Sequence, residues 1–503
     1  MDQRKSNVKW TVAGLMLALL LSALDQTIVS TAMPTIVGQL GGLDKFVWVF
    51  SAYLIANVIS IPIFGKLSDM YGRKLFFLLG LVVFMVGSAL CGTSQSMLQL
   101  IIYRVVQGIG GGALMPITFA IVFDIFPPEK RGKMQGFFGA VFGLSSVLGP
   151  LIGAYFTDYV AWQWIFYINL PLGVVSFIII SIFYHGSGQP KKEKIDWAGT
   201  IVFGAAVLSL MLALELGGKE YPWGSWQIIG LFAAFAVLFV LFLVIEKYAA
   251  SPVIPLALFK NKLFTASMGV GFFYGAVMLS AATYIPLFVQ GVFEGSATNA
   301  GLVLTPMMLG SVLSSMFGGR FIGKLTYRNI MLFSAGLLIV ATALLSTIST
   351  GTPRGLVTVY MVLLGLGIGT SFPIVSISAL HGIPFHQRGI VSGLVAFFRT
   401  IGSAVGVTIF GSIQIKAMEN GILSKLGSAA GAQQQISDPR VLLQPQVRAH
   451  IPHDVLDKLI SAMAESIAYV FQCSVFMAVI GLVFVLLMGK AKMEIPAGAK
   501  QKA

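Results

Sequence analysis

Long apolar segments alternate with short polar loops along the whole chain. The apolar segments recur at about 20 residues each, which is the length that a helix needs to cross the hydrocarbon core of a bilayer. The pattern predicts an all-α membrane protein with fourteen transmembrane helices. The predicted spans lie near residues 11–33, 47–67, 75–94, 97–122, 133–156, 163–185, 196–217, 225–246, 263–290, 297–319, 330–349, 354–379, 389–415 and 466–488.

Part of this pattern is repeated at an offset of 257 residues. Gly108, Gly110 and Pro116 in the fourth span return as Gly365, Gly367 and Pro373 in the twelfth. The repeat predicts two pseudo-symmetric six-helix bundles, at 1–187 and 251–503, with two inserted helices at 188–250. A loop at about 416–465 should face the outside. A membrane protein with such parallel halves is most often a transporter.

Composition excludes a soluble protein. The chain is 56% hydrophobic and 10% charged, and its mean hydropathy is +0.87. Most of its Lys and Arg lie in the termini and in alternate loops, which predicts cytoplasmic termini and argues against nucleic-acid binding despite the net charge of +14. Two cysteines in apolar segments predict no metal site. With no nucleotide-binding sequence, we expect no cofactor and transport driven by an ion gradient.

Asp25 is the strongest single signal, because an ionisable residue inside a span marks an ion or substrate pathway. It lies about 14 residues into the first span, and Arg104 lies about seven residues into the fourth from the opposite side, so their depths nearly coincide. We expect the two to interact directly or through water, with Gln107 one turn on. The pair either couples transport to protons or is a static ion pair. Coupling is favoured because the repeat places Ala282 and Met361 at the corresponding positions.

Glu215 is a second carboxylate within an apolar segment. It lies about 19 residues into the seventh span, near the predicted outer interface. The residue either extends its carboxylate to the interface or takes part in proton entry or in binding a cationic substrate.

The loop after the second span reads GKLSDMYGRK, from Gly65 to Lys74. Glycines permit close helix approach and a tight turn, and an aspartate can cap the following helix. Together with two charged residues that flank the next cytoplasmic loop, the segment predicts a network that closes the cytoplasmic side. Charges that only set topology are the alternative. The residues are Gly65, Asp69, Gly72, Arg73, Asp124 and Arg131.

Small residues at four-residue spacing in the fifth span predict close packing against a neighbouring helix, with a bend at a proline. The small residues are Gly139 and Gly143, then Ser145, Gly149 and Gly153, and the proline is Pro150. Aromatic faces can hold lipophilic cations, although most aromatics in such a chain are packed or face lipid. The candidate substrate cavity comprises Tyr53, Gln107, Phe137, Phe138, Tyr274, Tyr284, Phe397 and Phe398. After Pro452, an apolar face predicts an amphipathic helix on the outer membrane surface or over the pathway.

These motifs resemble the major facilitator superfamily, in particular its fourteen-span drug:proton antiporters of the Bacillus type. The resemblance covers nearly the whole chain and is carried by Leu24–Pro34, Gly65–Lys74, Arg104 with Gln107 and Gly108, Gly139–Ala154 and Trp162–Gly173. It implies a monomeric secondary transporter of the bacterial cell membrane that exports lipophilic, often cationic drugs in exchange for protons. One departure is Gly153-Ala154, where the family often has two glycines.

Three other functions remain open. A dedicated exporter of a metabolite, lipid or siderophore would use the same spans. A proton symporter for nutrient uptake is disfavoured by the antiporter-type fifth span. A membrane enzyme would need a polar catalytic cluster of His, Ser and carboxylate, and the sequence offers none.

Overall fold

The structure, a computed structural model, describes residues 7–42, 45–186, 195–218, 220–293, 303–426 and 452–493. This part of the chain is almost entirely helical and contains fifteen α-helices. They are α1 Val8–Leu40, α2 Phe46–Tyr71, α3 Arg73–Gly92, α4 Met97–Ile125, α5 Pro128–Tyr159, α6 Trp164–Tyr167, α7 Asn169–Phe183, α8 Trp197–Leu216, α9 Trp226–Tyr248, α10 Lys262–Gly291, α11 Leu304–Phe321, α12 Tyr327–Leu345, α13 Arg354–Ala379, α14 Arg388–Leu426 and α15 His453–Leu487. Two 3₁₀ turns, Leu256–Lys260 and Phe385–Gln387, precede α10 and α14.

Twelve helical segments of the described chain are long and apolar enough to cross a membrane. One of them, Trp164–Phe183, joins α6 and α7, so a single predicted span is two helices here. The helices α5 and α11 are not among these twelve segments. The chain is a multi-pass membrane protein, and the predicted count of fourteen spans is not confirmed.

The chain forms two compact units. The first comprises Met1–Met268, Val375–Phe398 and Met493–Ala503, and the second comprises Gly269–Ile374 and Arg399–Lys492. A buried apolar core in the first unit is built by α1 to α5 and α7, around residues such as Leu19, Phe84 and Ile117. The predicted division into two bundles and an insert rests on the sequence repeat and stays a prediction.

The repeated glycines make the same contacts in each unit. A Cβ on Gly108 of α4 would overlap the backbone carbonyl of Tyr53, and one on Gly365 of α13 would overlap that of Met307. Likewise, Gly110 lies against the backbone of Phe84 in α3. Its counterpart, Gly367, lies 2.9 Å from the backbone nitrogen of Leu338 in α12 by the same measure. Glycine at these positions therefore allows the central helix of each repeat to approach two neighbours at backbone distance.

The segment after Pro452 is helical, as predicted, but it does not form a separate surface helix. It is the first part of α15, which continues for 35 residues because its sequence has no proline and only Gly481. The apolar face is confirmed, since Leu456, Leu459 and Met463 are buried. Its polar face forms an ion pair of 2.6 Å between Glu465 and Lys425 of α14. Residues 427–451 of the predicted outer loop lie outside the described chain.

Candidate functional site

Asp25 lies in the middle of α1 and is completely buried in the first unit. Its Oδ2 accepts a hydrogen bond of 2.6 Å from Arg104 Nη1. Its Oδ1 accepts bonds of 2.7 Å from Gln107 Nε2 and 3.3 Å from Asn169 Nδ2. The contact predicted from matching depths is therefore present and direct. With one donor for one oxygen and two for the other, the surroundings match the ionised carboxylate.

Arg104 is 1% exposed, and three further contacts hold its guanidinium in one orientation. Its Nε donates to the backbone carbonyl of Val49 at 3.2 Å, and its Nη1 also donates to Gln107 Oε1 at 2.8 Å. Its Cζ lies 4.2 Å from the centroid of the Tyr53 ring, within cation–π range. The planar fork of an arginine allows these contacts at once, which a lysine could not reproduce.

Asn169 at the start of α7 was not among the predicted site residues. Its Nδ2 also donates to Ser88 Oγ at 2.9 Å, and that hydroxyl donates to the backbone carbonyl of Phe166 at 2.8 Å. Asn169 and Ser88 are both buried. They therefore link α3 and α7 to the carboxylate on α1. The same depth matching that joins Asp25 to Arg104 would have indicated Asn169, because it is a polar residue inside a predicted span.

The small residues of α5 pack against α1 next to this cluster. A Cβ on Gly149 would overlap Thr27 Oγ1, and one on Gly153 would overlap Thr31 Oγ1. Thr27 Oγ1 also donates to the backbone carbonyl of Ser145 at 3.1 Å. The predicted close packing is thus present at these two glycines. The threonines that they contact lie two and six residues beyond Asp25. The surroundings of Gly143 and Pro150 lie outside the described side chains.

Asp69 holds the start of α14, not the helix that follows it. Its Oδ1 accepts from the backbone N–H of Gly389 at 2.8 Å, and its Oδ2 accepts from that of Ile390 at 2.9 Å. The expectation that Asp69 caps α3 was wrong, because Gly72 takes that position with a φ of +105°. Gly65 permits the approach, since a Cβ there would lie 2.8 Å from the carbonyl oxygen of Gly389.

Arg73 joins the same network from the first turn of α3. It pairs with Asp69 at 3.3 Å and with Asp124, and it donates to the backbone carbonyls of Ala120 at 2.7 Å and Phe385 at 3.2 Å. The network therefore joins α2, α3 and α4 to the turn before α14, all within the first unit.

The two arginines that are equivalent in the repeat take different roles. Arg388 lies 3.6 Å from Asp124, so it adds a second cation to the network. Arg131 donates to the backbone carbonyls of Phe123 and Phe126 at the end of α4, at 2.8 and 3.0 Å. Asp124 is thus paired with arginines of α3 and α14. Arg131, on α5, instead caps the C-terminal end of α4.

The remaining candidate residues lie in varied surroundings. Phe137 is exposed on α5, and Glu215 is half-buried in the last turn of α8. The ring centroids of Phe397 and Phe203 are 5.4 Å apart, and those of Phe398 and Phe397 are 5.7 Å apart. Others are buried against protein: Tyr53 on Arg104, Gln107 on Asp25, Phe138 on Phe119, Tyr274 on Ser334 and Tyr284 on Val407. Their role in binding substrate stays a prediction.

The second unit has no equivalent of the charged cluster at the corresponding described positions. Gly149 meets Thr27 of α1, whereas its counterpart Gly406 meets Ala276 of α10. The residue that corresponds to Asp25 is therefore Tyr274, and the expectation of Ala282 was wrong. The offset is smaller here than the 257 residues that relate α4 to α13, because Thr27 and Ala276 are 249 residues apart. Tyr274 Oη lies 3.2 Å from Ser334 Oγ, so an uncharged pair occupies this place.

The sequence matches the family model described as Major Facilitator Superfamily over residues 15–407. The chain therefore belongs to the Major Facilitator Superfamily, and it is a transporter, not an enzyme.

Two bacterial relatives are similar over their whole length. The chain is 48% identical to "Multidrug resistance protein 3" of Bacillus subtilis, over 99% of each chain. It is 37% identical to "Multidrug transporter protein MdtP" of the same species, over 98% of this chain and 95% of the relative. Among solved structures, the human organic anion transporter MFSD10 aligns with a TM-score of 0.60 over 94% of this chain and 100% of its own, at 16% identity. That similarity supports the fold alone.

Proposed function

We propose that this protein is a proton-coupled multidrug antiporter that exports lipophilic, often cationic compounds across the bacterial cell membrane. The observation that carries the proposal is the buried carboxylate of Asp25, which is bonded to Arg104, Gln107 and Asn169. The names of both Bacillus relatives support small-molecule drugs as substrates. The distribution of Lys and Arg supports cytoplasmic termini.

Protonation of Asp25 would change the stability of this cluster. A proton on the carboxyl group removes the negative charge that balances Arg104, which is 1% exposed. Loss of one partner of a buried ion pair costs about 3–5 kcal/mol. A shift of a two-state equilibrium from 1:99 to 99:1 needs about 5.5 kcal/mol. Proton binding at Asp25 is therefore of the right size to favour one conformation of the transporter over another.

Two features would allow a change at Asp25 to affect the neighbouring helices. The carboxylate is on α1, two residues before the hydroxyl that Gly149 of α5 accommodates, so a shift of α1 reaches the α1–α5 contact directly. The network of Asp69, Arg73 and Asp124 ties α2, α3 and α4 to α14 and would close the cytoplasmic side in one state. Substrate and proton then compete because each binds one conformation better than the other.

Reconstitution in liposomes tests the proposal. With a pH dye inside and an imposed proton gradient, addition of ethidium should trigger proton flux in the wild type. Asp25→Asn keeps the size of the side chain and should abolish the flux while purified protein still binds ethidium. Glu419→Gln, an exposed carboxylate of α14, is the matched control and should retain it.

Each contrary result has a defined meaning. Undiminished flux in Asp25→Asn would refute coupling at Asp25 and make Glu215 the next residue to replace. A wild type that responds to no lipophilic cation would refute multidrug antiport and favour a dedicated exporter of a metabolite, lipid or siderophore.

A further inference from the structure

The two inserted helices carry a pair of carboxylates that the coupling cluster does not use. Asp196 directly precedes α8, and Glu246 lies in the last turn of α9, so both are at the same end of this antiparallel pair. Glu246 is only 4% exposed. A Cβ on Gly199 would overlap Asp196 Oδ2 and would lie 3.2 Å from Glu246 Oε1. The two carboxylates therefore face each other across the surface of a glycine.

Each carboxylate uses one oxygen to hold backbone and leaves the other unsatisfied. Asp196 Oδ1 accepts from the backbone N–H of Gly199 at 2.8 Å, and Glu246 Oε1 accepts from that of Val253 at 3.1 Å. Asp196 Oδ2 and Glu246 Oε2 are buried and have no donor in good hydrogen-bond geometry, although the backbone N–H of Ile254 also acts on the Glu246 carboxylate. An ionised carboxylate oxygen with no donor is costly in a buried site, so this arrangement requires a further positive charge or a proton.

Among the residues that the structure describes around the pair, the charges sum to minus one. Lys66 of α2 and Asp196 both act electrostatically on Glu246. The next residue of α9, Lys247, has its ammonium 5.5 Å from the ring centroid of Tyr248, so it is not counted with the pair. The segment 251–255 beside the pair has no ionisable side chain. Two carboxylates and one nearby ammonium sum to a single negative charge. Because like carboxylates in one site resist joint ionisation, one proton balances the site.

We propose that Asp196 and Glu246 form a proton-binding carboxyl pair at the end of the inserted helices. The shared proton makes one carboxyl group an O–H donor, and the carboxylate of the partner accepts the bond. Atoms and charges balance, since one proton is taken up and no other group is needed. The pair binds this proton independently of Asp25.

The pair has a position from which it can affect the closing network. Asp196 lines a cavity of about 40 Å³, room for one or two water molecules, together with Lys66, Thr200 and Ser251. Lys66 is one turn from Asp69 on α2. Loss of the proton would place two like charges between α8, α9 and the segment before α10, and would weaken their packing next to that network.

Infrared spectroscopy of the purified full-length protein in lipid tests the pair without requiring transport. At neutral pH, the difference spectrum between wild type and Glu246→Gln should show the C=O stretch of a protonated carboxylic acid. Glutamine keeps the size of the side chain and its bond to Val253. In Asp196→Asn the same band should shift or disappear, because asparagine still caps α8 but cannot share the proton. Glu419→Gln, at an exposed position, should give no such band.

A third variant measures the charge balance. Lys66→Met removes the ammonium, so the band should persist to a pH about one unit higher, which is a tenfold lower proton concentration. A spectrum with no protonated-acid band assigned to Glu246 between pH 5 and pH 8 would overturn the proposal. So would a band that Asp196→Asn leaves unchanged, because Glu246 would then hold its proton alone.

Discussion

Replacing Asp69 by asparagine should expose the first backbone amides of α14 to solvent exchange. The N-terminal amides of a helix have no partner within the helix, and here Asp69 accepts from those of Gly389 and Ile390 at 2.8 and 2.9 Å. Their protection therefore depends on this side chain, which comes from a helix more than 300 residues earlier in the chain.

The size of the effect follows from the two bonds. Asparagine has one oxygen, so it keeps one of the two acceptors and loses the charge. A hydrogen bond to a charged group contributes about 1.5–3 kcal/mol, and a negative charge at a helix N-terminus about 0.3–1 kcal/mol. The sum is about 2–4 kcal/mol, which corresponds to roughly 30- to 700-fold faster exchange. Asp69→Ala removes both acceptors and should exceed this range.

Hydrogen–deuterium exchange with mass spectrometry on the purified full-length protein gives the readout, at peptides that cover residues 385–395. Asp457→Asn, an exposed aspartate of α15, is the control and should leave these peptides unchanged. Exchange of Gly389 and Ile390 in Asp69→Asn within about threefold of wild type would refute the reasoning, because opening would then not depend on the carboxylate.

Two further predictions concern packing and the coupling cluster. Gly365→Ala places a Cβ on the backbone carbonyl of Met307 and should destabilise the protein by about 1–3 kcal/mol, whereas Gly336→Ala on open space should stabilise it by about 0.5–1 kcal/mol. Equilibrium unfolding in mixed detergent measures both, and the reverse order would contradict the repeated packing. In a double-mutant cycle by the same method, Asp25→Ala and Asn169→Ala should show a coupling energy of about 1–2 kcal/mol. Additive effects would mean that the bond contributes nothing.

Hydropathy predicted most helix bounds to within a few residues because bilayer thickness sets the length of an apolar run. The large differences are at α14 and α15, which run to Leu426 and start at His453. Their extensions carry charged residues such as Lys425 and Glu465, which pair with each other. Such pairing keeps a polar sequence helical, and hydropathy does not detect it.

The sequence likewise predicts some of the site contacts and not others. Asp25 and Arg104 were predictable because two opposite charges at one depth have few other partners in lipid. The contact between Asp69 and α14 was not predicted, because Asp69 bonds to backbone N–H groups. Almost every residue has such a group, so no residue type in the sequence marks the partner. Glu246 was not predicted because it lies at the end of a span, where a carboxylate is expected to be exposed to solvent. Its burial depends on α8 and the segment around Val253, which only the fold brings together.

The matched glycine contacts bear on how this chain diverged after its halves were duplicated. Gly108 and Gly365 meet the same part of their neighbouring helices, yet Tyr274 and Met361 occupy the places of Asp25 and Arg104. Steric fit was kept in both copies, while ionisable groups are present in one. An engineer can use this separation, since a carboxylate and an arginine introduced at Tyr274 and Met361 would leave the backbone contacts of Gly365 and Gly367 in place.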